Sequence, residues 1–282
     1  MIYKEILEKQ LKEKIQRIIP LGGGDINEVF KIETLSKHFV VKINREEDFP
    51  EMLQKESKGL KLLARSGVRI PQPIANFTEA GYQFLILEFI EEESIKHSFW
   101  EKFAADLAKL HQNTHLLFGL EYDNYIGSLK QINTQKTTWD HFFIENRITP
   151  LMKMAFDEHL LDSAHIRSFE KFFLRLPELL PKEKPALIHG DLWSGNMMCG
   201  NGQTPFLIDP AVYYGNREMD IAMTQMFGGF NRNYLHFYNQ FFPLEKGWEE
   251  RISIHNLYPN LVHLNLFGKS YLGGIERVID KF

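Results

Sequence analysis

Residues 187–196, which read LIHGDLWSGN, place a dense cluster of polar side chains directly after a short apolar run. The run Ala186-Leu187-Ile188 has the length and apolarity of a buried strand. A polar loop at the end of such a strand is a common location for catalytic residues, because the scaffold below holds the loop in place. The question is which reaction needs an aspartate and, five residues later, an asparagine on one loop.

A second apolar run, PFLIDPA at residues 205–211, also ends in an aspartate. Phosphoryl transfer needs a carboxylate that orients or deprotonates the attacking hydroxyl, and it needs oxygen ligands for Mg²⁺. Asp191, Asn196 and Asp209 supply these three groups. Aspartate and asparagine also form ordinary turns after strands. The joint spacing behind two apolar strands nevertheless favours the catalytic interpretation.

Lys42 lies in the middle of the predicted strand HFVVKIN, where a lysine among apolar neighbours is costly unless it is paired. Its expected partner is Glu56, which shares a stripe with Met52 and Leu60 on a helix predicted over residues 47–65. Protein kinases use such a lysine–glutamate pair to hold the α- and β-phosphates of the nucleotide. The alternative is a solvent-facing lysine and an unrelated surface glutamate.

The glycine-rich stretch LGGGDIN lies between two predicted strands. A dinucleotide-binding fingerprint would instead require a helix after the glycines. The arrangement therefore favours a hairpin that covers nucleotide phosphates, with candidate residues Gly22, Gly23 and Gly24.

The stretch ILEFIE ends an apolar strand close to the point where the pattern of the sequence changes from strand-rich to helix-rich. Main-chain atoms there could bind the edge of an adenine, and the candidates are Glu88, Phe89 and Ile90. An ordinary interdomain linker is the alternative.

The hydrophobic periodicity predicts an α+β fold with two lobes, and the lysine–glutamate pair with the glycine-rich hairpin makes it resemble a bilobal, protein-kinase-like fold. A small antiparallel sheet forms the nucleotide-binding N-lobe (1–90), and a mainly helical C-lobe (91–282) carries catalysis and substrate binding. In the N-lobe we expect a helix over residues 2–16, three strands, a helix and two further strands. In the C-lobe we expect helices over 94–116, 138–160, 163–180 and from about 218 onward.

The composition excludes several classes of protein. Of 282 residues, 44% are hydrophobic and 25% charged, as in ordinary globular proteins. The net charge of −4 differs from the net positive charge that is typical of proteins that bind nucleic acid. The single cysteine, Cys199, suits a reducing compartment, and no signal peptide or membrane span is recognisable. We expect a cytoplasmic protein without nucleic-acid or membrane partners, and the oligomeric state stays open.

Several stretches together resemble the fructosamine kinase (ketosamine-3-kinase) family, within the aminoglycoside phosphotransferase and choline kinase-like fold. They are HGDLWSGN, IDPAVYYGNREMDIAMTQMFGGF, GGGDIN, FVVKIN, MLQKES, VRIPQPI and LNLFGKSYLGGIERVI, and they cover nearly the whole chain. The resemblance implies phosphorylation of the sugar 3-hydroxyl of ketosamines by ATP and Mg²⁺. The substrate would be a small-molecule ketosamine or a glycated protein lysine, and loss of the unstable 3-phosphate would free the amine.

The resemblance also implies roles for the candidate residues. Asp191 resembles the base, Asn196 and Asp209 the Mg²⁺ ligands, and Lys42 with Glu56 the phosphate-binding pair. Glu88 to Ile90 resemble the adenine-binding hinge. Trp193, two residues after the base, either stacks on the sugar or packs the loop.

Three points stay open or depart from the family. Some members carry a cysteine in the glycine-rich loop, which implies thiol-dependent control; this chain has Gly24-Asp25-Ile26 there, so no such switch is expected. Another acceptor, such as choline or an aminoglycoside, is an alternative, and the acidic run EEES at 91–94 hints at a cleft for a polycation. A pseudokinase that binds ATP without turnover is the other alternative.

Overall fold

The computed structural model describes residues 2–22 and 26–282. An antiparallel sheet near the N-terminus is followed by a mainly helical part, so the expected α+β bilobal fold is confirmed. Gly23 and Gly24, two of the predicted phosphate-loop glycines, lie outside the described residues. The placement of the lobe boundary at residue 90 stays a prediction.

The N-lobe sheet has five strands in the spatial order β1-β2-β3-β5-β4, and all neighbours are antiparallel. The predicted succession of three strands, a helix and two strands is therefore present. A first helix precedes this unit. The bounds are α1 (Ile2–Leu11), β1 (Ile15–Pro20), β2 (Glu28–Thr34), β3 (His38–Arg45), α2 (Met52–Arg65), β4 (Pro73–Glu79) and β5 (Tyr82–Glu88).

The alternation of side chains along β3 decides where Lys42 points. Phe39, Val41 and Ile43 are buried in the core between the sheet and α1. Because successive residues of a strand face opposite sides, Lys42 projects from the other face, toward α2. Lys42 of the sheet thus points into the space between the lobes.

The C-lobe is built mainly of helices around a phenylalanine-rich core. Among the helices of the described residues, none has the length and apolarity needed to cross a bilayer. Its helices are α3 (His97–His111), α4 (Trp139–Phe142), a π-helical turn (Phe143–Ile148), α5 (Thr149–Asp157), α6 (Ser163–Leu179), α7 (Glu218–Met226), α8 (Asn233–Phe241), α9 (Trp248–His255), α10 (Leu257–Phe267) and α11 (Leu272–Ile279). Its strand pairs are β6 (Asn124–Ile126) with β7 (Leu129–Gln131), β8 (Ala186–Ile188) with β11 (Tyr213–Gly215), and β9 (Met197–Gly200) with β10 (Thr204–Leu207).

Several predicted boundaries are wrong. The first helix does not reach residue 16: it ends at Leu11, Lys12 has a left-handed φ of 56°, and the Ile15 amide donates to Glu8 Oε1 at 3.0 Å as β1 begins. The helix expected over 94–116 spans His97–His111. Tertiary hydrogen bonds of this kind override local periodicity at the ends of elements.

Candidate active site

The loop that follows β8 is held by one buried carboxylate from α7. Asp220 Oδ2 accepts a hydrogen bond from the His189 backbone amide at 2.7 Å, and Oδ1 accepts one from the Gly190 amide at 2.9 Å. His111 Nε2 lies 3.2 Å from the same Oδ2. Because both carboxylate oxygens bind consecutive amides, the backbone just before Asp191 is fixed.

Asp220 was missed by the sequence reasoning. Its partners are main-chain atoms about thirty residues earlier, and no spacing rule reveals such a contact. The available signal was an acidic residue within the apolar stretch MDIAM, where a buried carboxylate requires dedicated donors.

Gly190 brings the two polar loops into contact. Its φ is +82°, and a Cβ there would lie 2.1 Å from the Ala211 carbonyl oxygen. The Ala211 amide in turn donates to the His189 carbonyl at 2.9 Å. A side chain at Gly190 would therefore push the loop carrying Asp191 away from the loop carrying Asp209.

The His189 side chain connects the backbone before Asp209 to the backbone of Asp191. Its Nε2 lies 2.9 Å from the Ile208 carbonyl, and its Nδ1 lies 3.3 Å from the Asp191 amide. Burial lowers the pKa of His189, so the ring is neutral, with Nε2–H donating and Nδ1 accepting. These contacts agree with an orienting role for His189.

Asp191 and Asn196 are in direct contact. The Asn196 side-chain nitrogen donates to the Asp191 carboxylate at 3.0 Å and to the Asp191 carbonyl at 2.8 Å. Burial raises the pKa of Asp191 to about 7, and the hydrogen bond from Asn196 opposes that rise. A carboxylate whose pKa lies near neutrality is suited to accept a proton from an alcohol at physiological pH.

Lys42 bridges two carboxylates across the lobes. Its Nζ lies 2.7 Å from Glu56 Oε1 on α2 and 2.5 Å from Asp209 Oδ1 in the C-lobe. Burial by itself lowers the pKa of Lys42, but the charges of Asp209 and Glu56 outweigh it and raise the pKa above its usual range. The expected pairing of Lys42 with Glu56 is observed, and Lys42 remains charged.

The oxygen atoms between the loops fit a hard divalent cation. The Ile208 amide donates to the Asn196 carbonyl at 3.1 Å, which holds Asn196 beside the residue preceding Asp209. Asn196 uses its side-chain nitrogen toward Asp191, which leaves its side-chain oxygen as a donor to a cation. The Asp209 carboxylate is 43% exposed, and its backbone has a left-handed φ of 53°. Mg²⁺ prefers such oxygen ligands and is usually held by one or two protein groups together with waters and phosphates.

No complete metal cage exists among residues 2–22 and 26–282. No group of three or more His, Cys, Asp or Glu side chains there is arranged to hold an ion. A cation at Asn196 and Asp209 would therefore be completed by water and a phosphate ligand, which fits Mg²⁺ better than zinc.

Six of the candidate residues line one cleft of about 700 Å³ between the lobes. Its lining includes Lys42, Glu56, Asp191, Asn196, Asp209 and Trp193. The Trp193 side chain lies over Gly195, where a Cβ would come within 2.2 Å of the indole ring. The residue is 40% exposed, so one part of the ring packs on the loop and another part faces the cleft. The position of Trp193 is therefore compatible both with packing of the loop and with stacking on a sugar in the cleft.

The hinge residues lie along a different hollow. Glu88, Phe89 and Ile90 line a groove of about 1230 Å³, which shares no described residue with the cleft around Lys42. The Glu88 amide donates to the Gln72 carbonyl at 3.0 Å, so this amide is not available to a ligand. Within the described part of the chain, the Ile90 amide has no hydrogen-bond acceptor. The adenine-binding role stays a prediction.

Gly22 lies where the glycine-rich hairpin begins. The Leu21 amide donates to the Val29 carbonyl at 2.8 Å, which extends the β1–β2 pairing to the start of the loop. The loop therefore joins two strands, as expected for a phosphate-covering hairpin. Gly22 is exposed, and among the residues that the structure describes, its chain neighbours aside, none has an atom within 4 Å of the position that a Cβ would take.

The whole chain, residues 1–282, matches the family model described as fructosamine kinase. The chain belongs to the fructosamine kinase family. A "Probable ketoamine kinase" of Enterococcus faecium is 37% identical to this family member over 270 residues, which cover 94% of this chain and 95% of that protein. The "Protein-ribulosamine 3-kinase, chloroplastic" of Arabidopsis thaliana is 34% identical over 283 residues, covering 98% and 86%.

Solved structures agree with the family. The "putative fructosamine-3-kinase" of Thermobifida fusca has a TM-score of 0.89 at 30% identity, and the match covers 98% of this chain and 96% of that one. The aminoglycoside phosphotransferase APH(4)-Ia has a TM-score of 0.66 at 15% identity, covering 99% and 97%, and shares the fold alone. The resemblance seen in the sequence is confirmed. This fructosamine kinase family member is a phosphotransferase that uses an alcohol group as acceptor.

Proposed function

We propose that the protein uses Mg·ATP to phosphorylate the sugar 3-hydroxyl of ketosamines such as fructosamines and ribulosamines. The observation that best supports this proposal is that one cleft, in a chain of the fructosamine kinase family, is lined by Asp191, Asn196, Asp209 and the Lys42–Glu56 pair. The acceptor is a small-molecule ketosamine or the glycated lysine of a protein. The product carries its phosphate on C3, next to the C2 carbonyl. Enolisation toward C1 expels inorganic phosphate, and water then hydrolyses the resulting imine and frees the amine.

Each polar group has a task in this reaction. Asp191 accepts the proton of the attacking hydroxyl, and its pKa of about 7 suits that step. Lys42 contacts the α- and β-phosphates, and Glu56 holds Lys42 in place. Asn196 and Asp209 hold Mg²⁺, which neutralises the phosphate charge when it is bound.

The nucleotide base and the phosphates would contact main-chain atoms. We assign the adenine edge to the carbonyl of Glu88 and the amide of Ile90, with Phe89 between them. Gly22, together with Gly23 and Gly24, would cover the phosphates, because backbone without side chains allows close approach to an anion.

Trp193 is our candidate for the acceptor side of the cleft. The exposed part of its ring offers an apolar surface on which the carbon face of a sugar can stack. The acidic run that could favour a polycation does not reach this cleft. The Glu93 carboxylate lies 3.3 Å from the Gln203 side chain, and Glu91 and Glu92 line the hinge groove instead. This arrangement favours a ketosamine over an aminoglycoside.

The test is ADP formation by the purified protein with Mg·ATP and one acceptor at a time: a fructosamine, a ribulosamine, choline and an aminoglycoside. We expect turnover with one or both ketosamines and background rates with the other two. Preference for choline or the aminoglycoside would contradict the proposal. Nucleotide binding without turnover on any acceptor would favour the pseudokinase alternative.

A further inference from the structure

Two buried amide side chains at the base of the β6–β7 hairpin hold the backbone that follows Asp209. Asn124 and Gln131 face each other across the strand pair and are 5% and 1% exposed. Gln131 Nε2 donates to the Ala211 carbonyl at 3.1 Å, and Asn124 Nδ2 donates to the Val212 carbonyl at 2.9 Å. Both carbonyls are therefore fixed by side chains from an element about eighty residues earlier in the chain.

A second set of buried groups fixes the orientation of these amides. Asn124 Oδ1 accepts from Gln131 Nε2 at 2.7 Å and from Asn133 Nδ2 at 2.8 Å. Asn133 Oδ1 accepts from the fully buried Arg147 at 2.7 Å, and Gln131 Oε1 accepts from the Tyr258 hydroxyl at 2.7 Å. Rotating either amide by half a turn would set acceptor against acceptor, so the network permits one arrangement.

The other end of the hairpin faces the cleft and the N-lobe. Tyr125 and Ile126 line the cleft. The Tyr125 hydroxyl donates to the Pro50 carbonyl at 3.0 Å, and its ring lies edge-on to Phe49 at 6.5 Å. The hairpin thus connects the N-lobe segment before α2 with the loop that carries Asp209.

We propose that Asn124 and Gln131 are positioning residues for phosphoryl transfer. By fixing the Ala211 and Val212 carbonyls, they hold the Asp209 carboxylate in place. The close packing of Gly190 against Ala211 extends the constraint to the loop of Asp191. This inference rests on the proposed function for the roles of Asp191 and Asp209. Displacement of a reacting group by about 1 Å can cost on the order of a hundredfold in rate, so a small relaxation here is measurable.

The test uses Gln131→Met, which keeps the length of the side chain and removes both donors. We expect kcat to fall by about tenfold or more, since misplacement of reacting groups is costly. The second readout is the gain in affinity for a non-hydrolysable ATP analogue on adding Mg²⁺, measured by calorimetry. This gain should shrink severalfold, while affinity without Mg²⁺ should change less, because Lys42 keeps its hydrogen bond to Glu56 when Asp209 moves.

The matched control is Tyr258→Phe, which removes the hydroxyl bound to Gln131 Oε1 and leaves both carbonyl contacts intact. Because Asn124 Oδ1 and the Ala211 carbonyl still hold Gln131 Nε2 in this variant, kcat and the Mg²⁺-dependent gain should stay within about twofold of the wild type, even if its Tm falls as a lost buried hydrogen bond would cause. If Gln131→Met does not fold, Gln131→Leu serves instead, because it also removes both donors without setting a new acceptor or charge against Asn124 Oδ1 and the Ala211 carbonyl.

The inference is overturned if the glutamine variant matches Tyr258→Phe in both kcat and the Mg²⁺-dependent gain. The calorimetric measurement needs no acceptor. It therefore decides the inference even if no ketosamine is phosphorylated, and that outcome would count against the proposed function alone.

Discussion

Replacing Glu56 by glutamine tests whether this residue acts through Lys42. In the structure Lys42 Nζ lies 2.7 Å from Glu56 and 2.5 Å from Asp209. A hydrogen bond to a charged group contributes about 1.5–3 kcal/mol, and one between neutral groups about 0.5–1.5 kcal/mol. The glutamine oxygen still accepts a hydrogen bond from the charged Lys42 but carries no charge itself, so the bond moves from the upper toward the lower end of the first range, a loss of roughly 1–1.5 kcal/mol, or about fivefold to tenfold in kcat/KM for ATP.

Lys42→Met should have a larger effect, because it removes the cation that contacts the phosphates and leaves Glu56 and Asp209 unneutralised. We expect a loss of about a hundredfold or more in kcat/KM for ATP, the range for removing a group that stabilises charge in the transition state. Since Glu56 works only through Lys42, the double variant should be no worse than Lys42→Met alone. The assay is ADP release at saturating acceptor with ATP varied, together with Tm for each variant.

Two results would refute this reasoning. Strictly additive losses in the double variant would mean that Glu56 contributes independently of Lys42. Wild-type kinetics in Glu56→Gln would mean that the bond of 2.7 Å has no role in placing the lysine.

Three further predictions concern other parts of the molecule. Asp191→Asn should lower kcat by about a hundredfold or more, as loss of a general base does, while calorimetry shows nucleotide binding retained; near-normal turnover would remove Asp191 from that role. Trp193→Leu should raise KM for the ketosamine by about threefold to tenfold, the value of one aromatic contact, with Trp193→Phe intermediate and KM for ATP unchanged; equal KM values for all three proteins would leave Trp193 as loop packing. Burial raises the pKa of Glu218, but Arg251 and His255 outweigh it and lower the pKa from 4.5 to about 2. Its stabilisation is therefore present above pH 4.5 and is lost as the pH falls toward 2, so Glu218→Gln should cost about 3 kcal/mol in urea unfolding at pH 7 and less below pH 4.5; a difference independent of pH would contradict the assignment.

The sequence predicted those features that depend on side-chain alternation and on charge in an apolar setting. Lys42 was recognised because a lysine among apolar neighbours in a strand is costly unless it is paired. Glu56 was recognised because helical periodicity placed it on the same stripe of the helix as Met52 and Leu60. The convergence of Asp191 and Asp209 followed from two buried strands that each end in a polar loop. Each of these signals lies within one short stretch of sequence, so it can be interpreted without knowing the tertiary structure.

Other features depend on contacts that no local pattern encodes. Asp220 binds backbone amides, and Asn124 and Gln131 bind backbone carbonyls, so neither spacing nor residue type revealed their partners. The strands β6 and β7 have three residues each, too few for periodicity to detect.

In the proposed reaction, Asp191, Asn196, Asp209 and Lys42 act together on the transfer of phosphate to a single sugar hydroxyl. The most direct measurement is ADP release by the wild-type protein with a ketosamine and with its 3-deoxy counterpart, followed by ³¹P NMR of the product formed. The account predicts turnover with the hydroxylated compound, phosphate on C3, and background rates with the deoxy compound. Equal turnover of the two compounds, or phosphate on another carbon, would contradict it.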